Sequence, residues 1–502
     1  MIALSLARIA EIVGGRLTDI TPERAATTLV TGTVEFDSRK IAPGGLFLAL
    51  PGARVDGHDH AAAAIGAGAV VVLAARPVGV PAIVVDPIGS NSRSGVLEHD
   101  DDAGSGAAVL AALAKLAAAV AAELVASGLT IIGVTGSAGK TSTKDMLAAV
   151  LAPLGQVVAP PGSFNNELGH PWTVLRADES TDYLILELSA RHRGNIAALA
   201  AIAPPQIGVV LNVGTAHLGE FGSREAIAET KAELPQSVPA DGLVVLNADD
   251  TAVAAMAAQT QARVVRVSRT EGADVWAGPV TLDELARPRF TLHAGEQSAE
   301  VALAVSGDHQ VGNALCAAAV ALHCGATPEQ VAAALAAAGP VSAHRMQVQT
   351  RADGVTVIDD AYNANPDSMR AALQSLAWIA RGDGPVSRRS WAVLGEMAEL
   401  GDDAITEHDR IGRLAVRLDV SRLIVVGVGR SMSAMYHGAV MEGSFGAEAV
   451  AVADVDAALA LLRAELESGD VVLVKASNSA GLTVLAEKLV GALVADDKGT
   501  AR

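Results

Sequence analysis

The chain has 502 residues, of which half are apolar and only 3% aromatic, and its 37 basic and 56 acidic side chains give a formal charge of −19 at pH 7. This length suggests about three domains, with cores built mainly from alanine, valine and leucine. The acidic charge argues against a nucleic-acid partner, because nucleic-acid phosphates require a basic surface. It does not exclude an anionic substrate, which loop amides and a few lysines can bind.

The N-terminal stretch predicts an amphipathic helix rather than a signal peptide. Residues 1–17 have no basic segment ahead of the apolar run, and Glu11 interrupts that run. The longest alanine- and leucine-rich run, 107–127, contains Lys115 and Glu123 and repeats its leucines at helical spacing. We therefore expect a helix of a soluble protein there, no membrane insertion, and a cytoplasmic location.

Short apolar runs and polar loops alternate along the chain and divide it into four segments. Residues 1–86 predict a small α/β domain, and the polar stretch 87–105 predicts a linker or insertion. Residues 106–340 alternate strand, loop and helix, which indicates a parallel sheet with helices on both faces. Residues 341–502 repeat that alternation and predict a Rossmann-like domain. The expected fold class is α/β with three domains.

The stretch "GVTGSAGKTSTKDML", residues 133–147, resembles a phosphate-binding loop with one misplaced glycine. The usual pattern G-x-x-x-x-G-K-[ST] places a glycine at position 134, where this chain has Val134. The stretch nevertheless follows an apolar strand and begins a helix, so backbone amides can face an anion. Lys140 could reach phosphates, and Thr141 could offer its hydroxyl to Mg²⁺. The alternative is a glycine-rich turn that binds nothing.

Three further polar residues follow strands or lie on helices of the same predicted sheet. Glu187 ends "YLILEL", His217 follows "VVLNVGTA", and Lys231 lies in "AIAETKAEL". Taken singly, they are typical of a solvated strand end, a structural histidine and a solvated helix face. Because the ends of parallel strands meet at one edge of a sheet, we expect them to converge.

The third domain has an unusually polar segment around a predicted strand. Asp359 and Asp360 end "VTVIDD", and Asn363 follows in "AYNANP". These residues also fit a turn held by side-chain hydrogen bonds, so the pattern alone leaves their role open. The later stretch "VVGVGRSM" lacks the third glycine of a dinucleotide fingerprint, where Met432 stands, and therefore does not predict NAD binding.

These stretches resemble the Mur ligases, the ATP-dependent amide-forming enzymes of peptidoglycan synthesis. The family loop reads T-G-[ST]-x-G-K-[ST], and "TGSAGKT" fits it with its glycine at Gly136. The resemblance extends over nearly the whole chain, through "GSFNNELGHPWTVL", "AHLGEFGSREAIAETKAE", "DDAYNANPDSMRAAL" and "VLGEMAELG". The D-N-P-[RA] signature of the ligase that adds the third peptide residue is absent. The resemblance is strongest to the branch that joins D-alanyl-D-alanine to a UDP-N-acetylmuramoyl tripeptide.

The resemblance implies a role for each domain: the first binds the UDP end of the substrate, the middle binds ATP, and the third closes over both with D-alanyl-D-alanine. It implies catalytic roles for Lys140, Glu187, His217 and Lys231. It implies a pair of Mg²⁺ ions held by Thr141, Glu187, His217 and Lys231. It implies nucleotide contacts from Thr135, Gly136, Ser137, Ala138, Gly139, Lys140, Thr141, Ser142, Asn313, Arg345, Asp359 and Asn363. It implies substrate contacts from Ser38, Arg39, Asn165 and Asn166.

Lys231 matches the lysine that related ligases carry as a carbamate, and the sequence leaves open whether it is modified here. CO₂ adds to a neutral amine, and burial readily lowers a lysine pKa. The chain departs from the family at Gln310 and Asn478, which replace an asparagine and an arginine, and at Ser189, which replaces a glycine. These departures remove none of the predicted phosphate or metal ligands.

We expect ATP to phosphorylate the tripeptide carboxylate and the amine of D-alanyl-D-alanine to attack the resulting acyl phosphate, in a monomeric enzyme. One alternative is another amide ligase of the Mur or folylpolyglutamate type. A second, from a different class, is a nucleotide-binding regulator without catalysis.

Overall fold

The computed structural model describes residues 1–52, 55–89, 101, 104–214, 218–382, 388–443 and 448–495, and the statements below concern those residues. The described chain contains three large sheets, spread over the three predicted domains, and one two-stranded pair. Helices cover the sheets, so the expected α/β fold class is confirmed. The boundaries at 86, 105 and 340 stay a prediction. Most of the predicted linker, residues 90–100 and 102–103, lies outside the described residues.

The N-terminal domain is a sheet with apolar cores on both faces. Its elements are β1 (Leu4–Ser5), α1 (Leu6–Val13), β2 (Arg16–Thr18), α2 (Pro22–Thr27), β3 (Leu29–Val30), β4 (Val34–Glu35), β5 (Gly45–Leu48), α3 (Ala61–Gly66), β6 (Ala69–Ala74) and β7 (Ala82–Val84), with 3₁₀ turns at Ser38–Lys40 and Gly57–His60. The five described strands of the sheet run in the order β2-β7-β6-β5-β4, and only β2 is antiparallel to its neighbour. Along β5, Leu46 and Leu48 enter one core and Phe47 the other, as strand alternation requires.

Helix α4 (Ser105–Ala126) joins the N-terminal and middle domains. Within the described chain it is the one helix that is long and apolar enough to cross a membrane, by length and composition alone. It packs against α1 on one side, and Leu113, Leu116 and Val120 are fully buried in the same core as α1. Its apolar surface is thus used in the packing of two domains.

The middle domain is built on the largest sheet of the described chain. Its strands are β8 (Thr130–Thr135), β9 (Val157–Val158), β10 (Tyr183–Glu187), β11 (Ile207–Val210), β12 (Leu243–Asn247), β13 (Arg263–Ser268), β14 (Val275–Ala277), β15 (Thr281–Leu282), β16 (Pro288–Ala294) and β17 (Gln297–Ala302). Its helices are α5 (Lys140–Leu151), α6 (Gly169–Val174), α7 (Asn195–Ile202), α8 (Leu218–Phe221), α9 (Arg224–Ser237), α10 (Thr251–Ala255), α11 (Gln310–His323) and α12 (Pro328–Ala337), with a 3₁₀ turn at Met256–Gln259.

The strand order of this sheet brings the loop after β8 and Glu187 to one edge. Strands β9-β10-β8-β11-β12-β13-β14 are parallel, and β15, β16 and β17 extend the sheet in antiparallel fashion. Because β8 lies between β10 and β11, the loops that follow Thr135, Glu187 and Val210 lie side by side. Ligands of open parallel sheets bind at such carboxyl ends.

The C-terminal domain is a second, smaller parallel sheet. Its elements are β18 (Gln347–Thr350), β19 (Thr356–Asp360), α13 (Pro366–Arg381), β20 (Ser390–Leu394), α14 (Ala404–Arg417), β21 (Arg422–Val426), α15 (Arg430–Glu442), β22 (Ala449–Val452), α16 (Val455–Glu465), β23 (Val471–Lys475) and α17 (Thr483–Ala495), with 3₁₀ turns at Gly401–Asp403 and Asn478–Ala480. The strands described run β18-β19-β23-β20-β21-β22, and only β18 is antiparallel. Helix α13 begins at a capping box in which Asn365 and Ser368 satisfy each other's backbone amides.

The C-terminal domain packs directly on the middle domain. The indole Nε1 of Trp378 on α13 donates to the backbone oxygen of Asp283, at 2.8 Å. The backbones of Gly219 and Gly401 approach so closely that a Cβ on either residue would overlap the other. The two domains are therefore in direct contact at both places.

Candidate active site

A cavity of about 960 Å³ lies between the middle and C-terminal domains. Its middle-domain wall includes the loops after β8, β9, β10 and β11 and the start of α11. Its opposite wall consists of the segment before β18 and the loops after β19 and β23. Both walls are thus made mainly of loops at the carboxyl ends of parallel strands.

The loop after β8 is held in an anion-binding shape. Gly139 has φ +87° and ends the loop at the N-terminus of α5, without a side chain to cap the helix. The side chain of Asn212 accepts from the amide of Ala138 at 2.9 Å and donates to its carbonyl at 3.0 Å. A Cβ on Gly139 would lie 2.5 Å from Asn313 Oδ1, so only glycine fits. The first amides of α5 can therefore face an anion in the cavity.

Lys140 lines the cavity at the start of α5. Its Nζ donates to the carbonyl of Gly136 in the same loop, at 2.7 Å. Burial lowers the pKa of this ammonium, and the nearby carboxylate of Glu187 partly opposes that shift. The side chain folds back on its own loop and is close to where the helix amides would hold a phosphate.

Glu187 is the buried acid of the cavity. Its Oε2 accepts from Thr141 Oγ1 at 3.3 Å and from Asn165 Nδ2 at 3.5 Å. Its Oε1 is buried and has no hydrogen-bond partner among the described residues. Burial raises the pKa of this carboxyl, and nearby cations, Lys144 foremost, oppose the shift.

An unpaired carboxylate oxygen beside a hydroxyl is a donor set that suits Mg²⁺, which binds oxygen and keeps several outer ligands from substrate and water. Thr141 and Glu187 supply those oxygens here. The described part of the chain holds no group of three or more histidine, cysteine, aspartate or glutamate side chains that could hold an ion. An ion at Thr141 and Glu187 would need phosphate oxygens to complete its coordination.

Lys231 is buried on α9 and does not line the cavity. Burial lowers its pKa well below the usual lysine value, and repulsion from Lys140 lowers it further. A neutral amine at neutral pH is the form that reacts with CO₂. His217 lies outside the described residues, so its predicted place beside Lys231 and Glu187 is not tested.

Arg345 lies in the C-terminal domain and contacts the segment after β9 of the middle domain. Its Nη2 donates to Ser163 Oγ at 2.9 Å, and its guanidinium lies 4.4 Å above the ring of Tyr362. Ser163 Oγ is in turn 2.7 Å from Thr141 Oγ1. Asn363 also lines the cavity. The two domains are thus connected through Arg345, Ser163 and Thr141.

Asp359 lies away from the cavity lining, and its predicted nucleotide contact stays a prediction. This carboxylate pairs with Nδ1 of His344 at 2.7 Å and does not line the cavity. Its neighbour Asp360 lines the cavity and accepts from the buried Lys475 Nζ at 2.5 Å. Successive side chains of a strand point to opposite faces, so only one of the two aspartates can face the cavity.

The predicted substrate residues fall into two groups. Asn165 and Asn166 line the cavity, and Asn166 also accepts from the amide of Gly169 at 2.9 Å, at the start of α6. Ser38 and Arg39 lie in the N-terminal domain and do not line this cavity.

The turn with Ser38 is nevertheless joined to the cavity loop by an aromatic contact. Arg39 is exposed and bound to Asp37, and its hydrogen bonds lower the Asp37 pKa to about 2. The preceding residue, Phe36, packs edge-on against Trp172, with ring centroids 6.0 Å apart. Trp172 also lies against Phe164, which precedes the cavity residue Asn165.

Three residues of the site were not predicted from the sequence. Asn212 is hydrogen-bonded to the loop after β8, Lys475 pairs with Asp360, and Lys144 is buried on α5. An asparagine directly after the apolar run "VVL" was an available signal for Asn212. The sequence gives no comparable signal for Lys475, in an apolar strand, or for Lys144, in a helix. The burial of both lysines depends on packing between domains. Gln310, one of the departures from the family, accepts a hydrogen bond from Asn313 Nδ2 at 2.8 Å, beneath the loop after β8.

The comparisons with known proteins agree with this geometry. Three family models match the chain: the Mur ligase family catalytic domain over residues 32–122, the Mur ligase middle domain over 134–321, and the Mur ligase glutamate ligase domain over 344–478. The chain belongs to the Mur ligase family.

Individual relatives narrow the resemblance. The chain is 76% identical over 509 residues to the UDP-N-acetylmuramoyl-tripeptide–D-alanyl-D-alanine ligase of Mycobacterium tuberculosis, with 99% of each chain covered. A crystal structure of MurF from Acinetobacter baumannii matches with a TM-score of 0.79 and 29% identity, covering 97% of this chain and 99% of that one. MurF from Thermotoga maritima, solved in complex with ADP, matches with a TM-score of 0.73 and 26% identity, covering 93% and 99%.

Proposed function

We propose that this protein is an ATP-dependent ligase that joins D-alanyl-D-alanine to the terminal carboxylate of a UDP-N-acetylmuramoyl tripeptide. The observation that supports it most directly is the placement of Lys140, Thr141 and Glu187 on one wall of the cavity, with Arg345 reaching them from the other. The relatives named above, similar over their full length, carry that activity in their names. The proposal includes a cytoplasmic, monomeric enzyme without a nucleic-acid partner.

The middle domain holds the triphosphate in this proposal. Amides of the loop 136–142 and the first turn of α5 bind its oxygens, and the Lys140 ammonium neutralises charge at the transferred phosphoryl group. Thr141 and Glu187, joined by His217 and a carbamate on Lys231, would hold Mg²⁺. When bound, the ions lower the negative charge on the phosphates.

The chain's own residues then bring the reactants together. A tripeptide carboxylate oxygen attacks the γ-phosphorus, ADP leaves, and an acyl phosphate forms. The dipeptide amine attacks the acyl carbon, loses a proton, and expels inorganic phosphate. Arg345 and Asn363 contribute positive charge and hydrogen bonds from the C-terminal domain. Closure of the two domains over the reactants would exclude water, which would otherwise hydrolyse the acyl phosphate.

The remaining residues are assigned by position. Asn165, which donates to Glu187 Oε2, and its neighbour Asn166 line the cavity, and we assign the tripeptide carboxylate to them. Ser38 and Arg39 lie in the N-terminal domain, and we assign the UDP end of the substrate to them. Asn313, with Gln310, lies beneath the phosphate loop and would contact the nucleotide.

Phosphate release with defined substrates tests the proposal. The protein should release phosphate from ATP only when a UDP-N-acetylmuramoyl tripeptide and D-alanyl-D-alanine are both present. Tripeptides ending in diaminopimelate and in lysine should be compared, because the sequence does not distinguish them. Release with a single free amino acid in place of the dipeptide would favour another amide ligase. ATP binding without turnover on any pair would favour a regulator.

A further inference from the structure

Lys144 is a buried lysine for which the proposed chemistry has no use. It lies on α5, one turn after Lys140, and its side chain is 2% exposed. A charged ammonium is costly to bury and requires partners. Its Nζ has three: Asp145 Oδ1 at 2.6 Å, the carbonyl of Pro160 at 2.8 Å, and Ser342 Oγ at 3.3 Å.

Two of these partners belong to segments that carry site residues. Pro160 lies in the loop after β9, three residues before Ser163, whose hydroxyl contacts Thr141. Ser342 lies in the segment 338–346 that connects α12 to β18, three residues before Arg345. The two segments meet again where Arg345 donates to Ser163 at 2.9 Å. The contacts therefore form a closed ring. Lys144 contacts both segments, and the segments contact each other through Arg345 and Ser163.

The segment 338–346 contains two residues in an unusual backbone conformation. His344 and Met346 have φ +57° and +48°, a conformation that side-chain-bearing residues rarely adopt and that needs support from the surroundings. On the C-terminal side, Asp359 holds His344 and the carboxylate of Asp360 accepts from the Met346 amide, at 3.2 Å.

On the middle-domain side, the same segment is held by Lys144 and its neighbour. Lys144 donates to the hydroxyl of Ser342, and Asp145 accepts from the Ser342 amide at 3.2 Å. Ser342 is 4% exposed, so these hydrogen bonds are shielded from water. Arg345 is therefore positioned from both domains.

We propose that Lys144 is a positioning residue: by holding Ser342 and Pro160 together, it sets Arg345 on Ser163 and so aligns the closing domain with the phosphate loop. This inference rests on the proposed function, since it assigns a role in the same reaction. It predicts that breaking the Lys144–Ser342 contact lowers turnover through Arg345 and leaves ATP binding to the loop largely intact.

A double-mutant cycle tests this coupling. The variants are Ser342→Ala, Arg345→Ala and the double variant, with Lys144→Met as the stronger change. Ser375→Ala is the matched control, because Ser375 is also 4% exposed and its hydroxyl bonds only within α13, to the carbonyl of Ala371. Each variant is assayed for kcat and KM in phosphate release, for ATP affinity by calorimetry, and for thermal unfolding.

Ser342→Ala should lower kcat roughly tenfold, the effect of losing a hydrogen bond to a charged group, with ATP affinity changed less than about twofold. In the Arg345→Ala background the same change should have little further effect. Ser375→Ala should keep the parent kcat. Equal effects of Ser342→Ala in both backgrounds, or no effect in the parent, would overturn the inference. The proposed function would still be supported, provided that the parent is active. A parent without substrate-dependent release would refute both.

Discussion

The guanidinium of Arg345, from the C-terminal domain, lies 2.9 Å from the hydroxyl of Ser163 in the middle domain. That hydroxyl also contacts Thr141, the predicted magnesium ligand at the start of α5. The cation supplied by one domain is thus connected to Thr141 of the other through two successive hydrogen bonds. A reaction that requires both domains to be in place can be controlled by this contact.

Arg345→Ala should lower kcat by about 10²-fold, because a positioned cation facing developing phosphate charge is lost. ATP affinity should fall much less, since the loop amides and Lys140 remain. Arg351→Ala is the control: Arg351 lies in the same domain, but its guanidinium bonds to Asp353 and does not line the cavity. Steady-state phosphate release separates kcat from KM. Equal losses in the two variants would contradict the assigned role.

Lys140→Ala should abolish formation of the acyl phosphate, with a loss in kcat of about 10²–10³-fold or more. The ammonium is the one cation within residues 136–140, and among the described residues its side-chain nitrogen donates to the Gly136 carbonyl. ADP production is the measurement, with Lys488→Met as an exposed control on α17. Near-normal ADP production by Lys140→Ala would remove the loop from the mechanism.

Glu187→Gln should make the protein without ligands more stable, by something on the order of 1 kcal/mol, because a buried carboxylate with an unpaired oxygen is replaced by a neutral amide. The same change should abolish the additional thermal stabilisation that Mg²⁺ gives to the ATP complex. Glu35→Gln is a matched control, since Glu35 is also buried with a pKa raised by burial, but lies in the N-terminal domain. A Mg²⁺ effect that survives in Glu187→Gln would show that the ion binds elsewhere.

Activity should depend on dissolved CO₂ if Lys231 is carbamylated. Its pKa is lowered by burial, which favours the neutral amine that the reaction needs. Protein kept in CO₂-free buffer should lose activity, and bicarbonate should restore it. Lys231→Arg, which keeps a cation but cannot form the carbamate, should be inactive in both buffers. Full activity of the parent in CO₂-free buffer would argue for an unmodified lysine.

Much of the fold could be predicted from the sequence, because strands buried on both faces read as continuous apolar runs and the intervening helices show helical spacing. The phosphate loop and Glu187 were predicted for the same reason: each directly follows such a run, and parallel strands bring their ends together. The placement of Lys140 and Thr141 at the start of α5 follows from the same pattern.

Two features could not be predicted: which side chains of a strand face the cavity, and which contacts form between domains. The pair Asp359–Asp360 shows the first limit. Side chains alternate along a strand, so one of the two faces the cavity, but the sequence does not show which one. Lys144 shows the second, because its partner Ser342 is 198 residues away along the chain. The role of Ser38 and Arg39 stays a prediction, since they lie outside the cavity between the other two domains.

The most direct test of the central claim follows an oxygen atom. A UDP-N-acetylmuramoyl tripeptide labelled with ¹⁸O in its terminal carboxylate is incubated with the protein, Mg²⁺-ATP and D-alanyl-D-alanine, and the released phosphate is analysed by mass spectrometry. Attack of the carboxylate on ATP, followed by attack of the amine on the acyl carbon, transfers one labelled oxygen to each phosphate. Unlabelled phosphate, formed alongside the ligated product, would contradict the acyl-phosphate route.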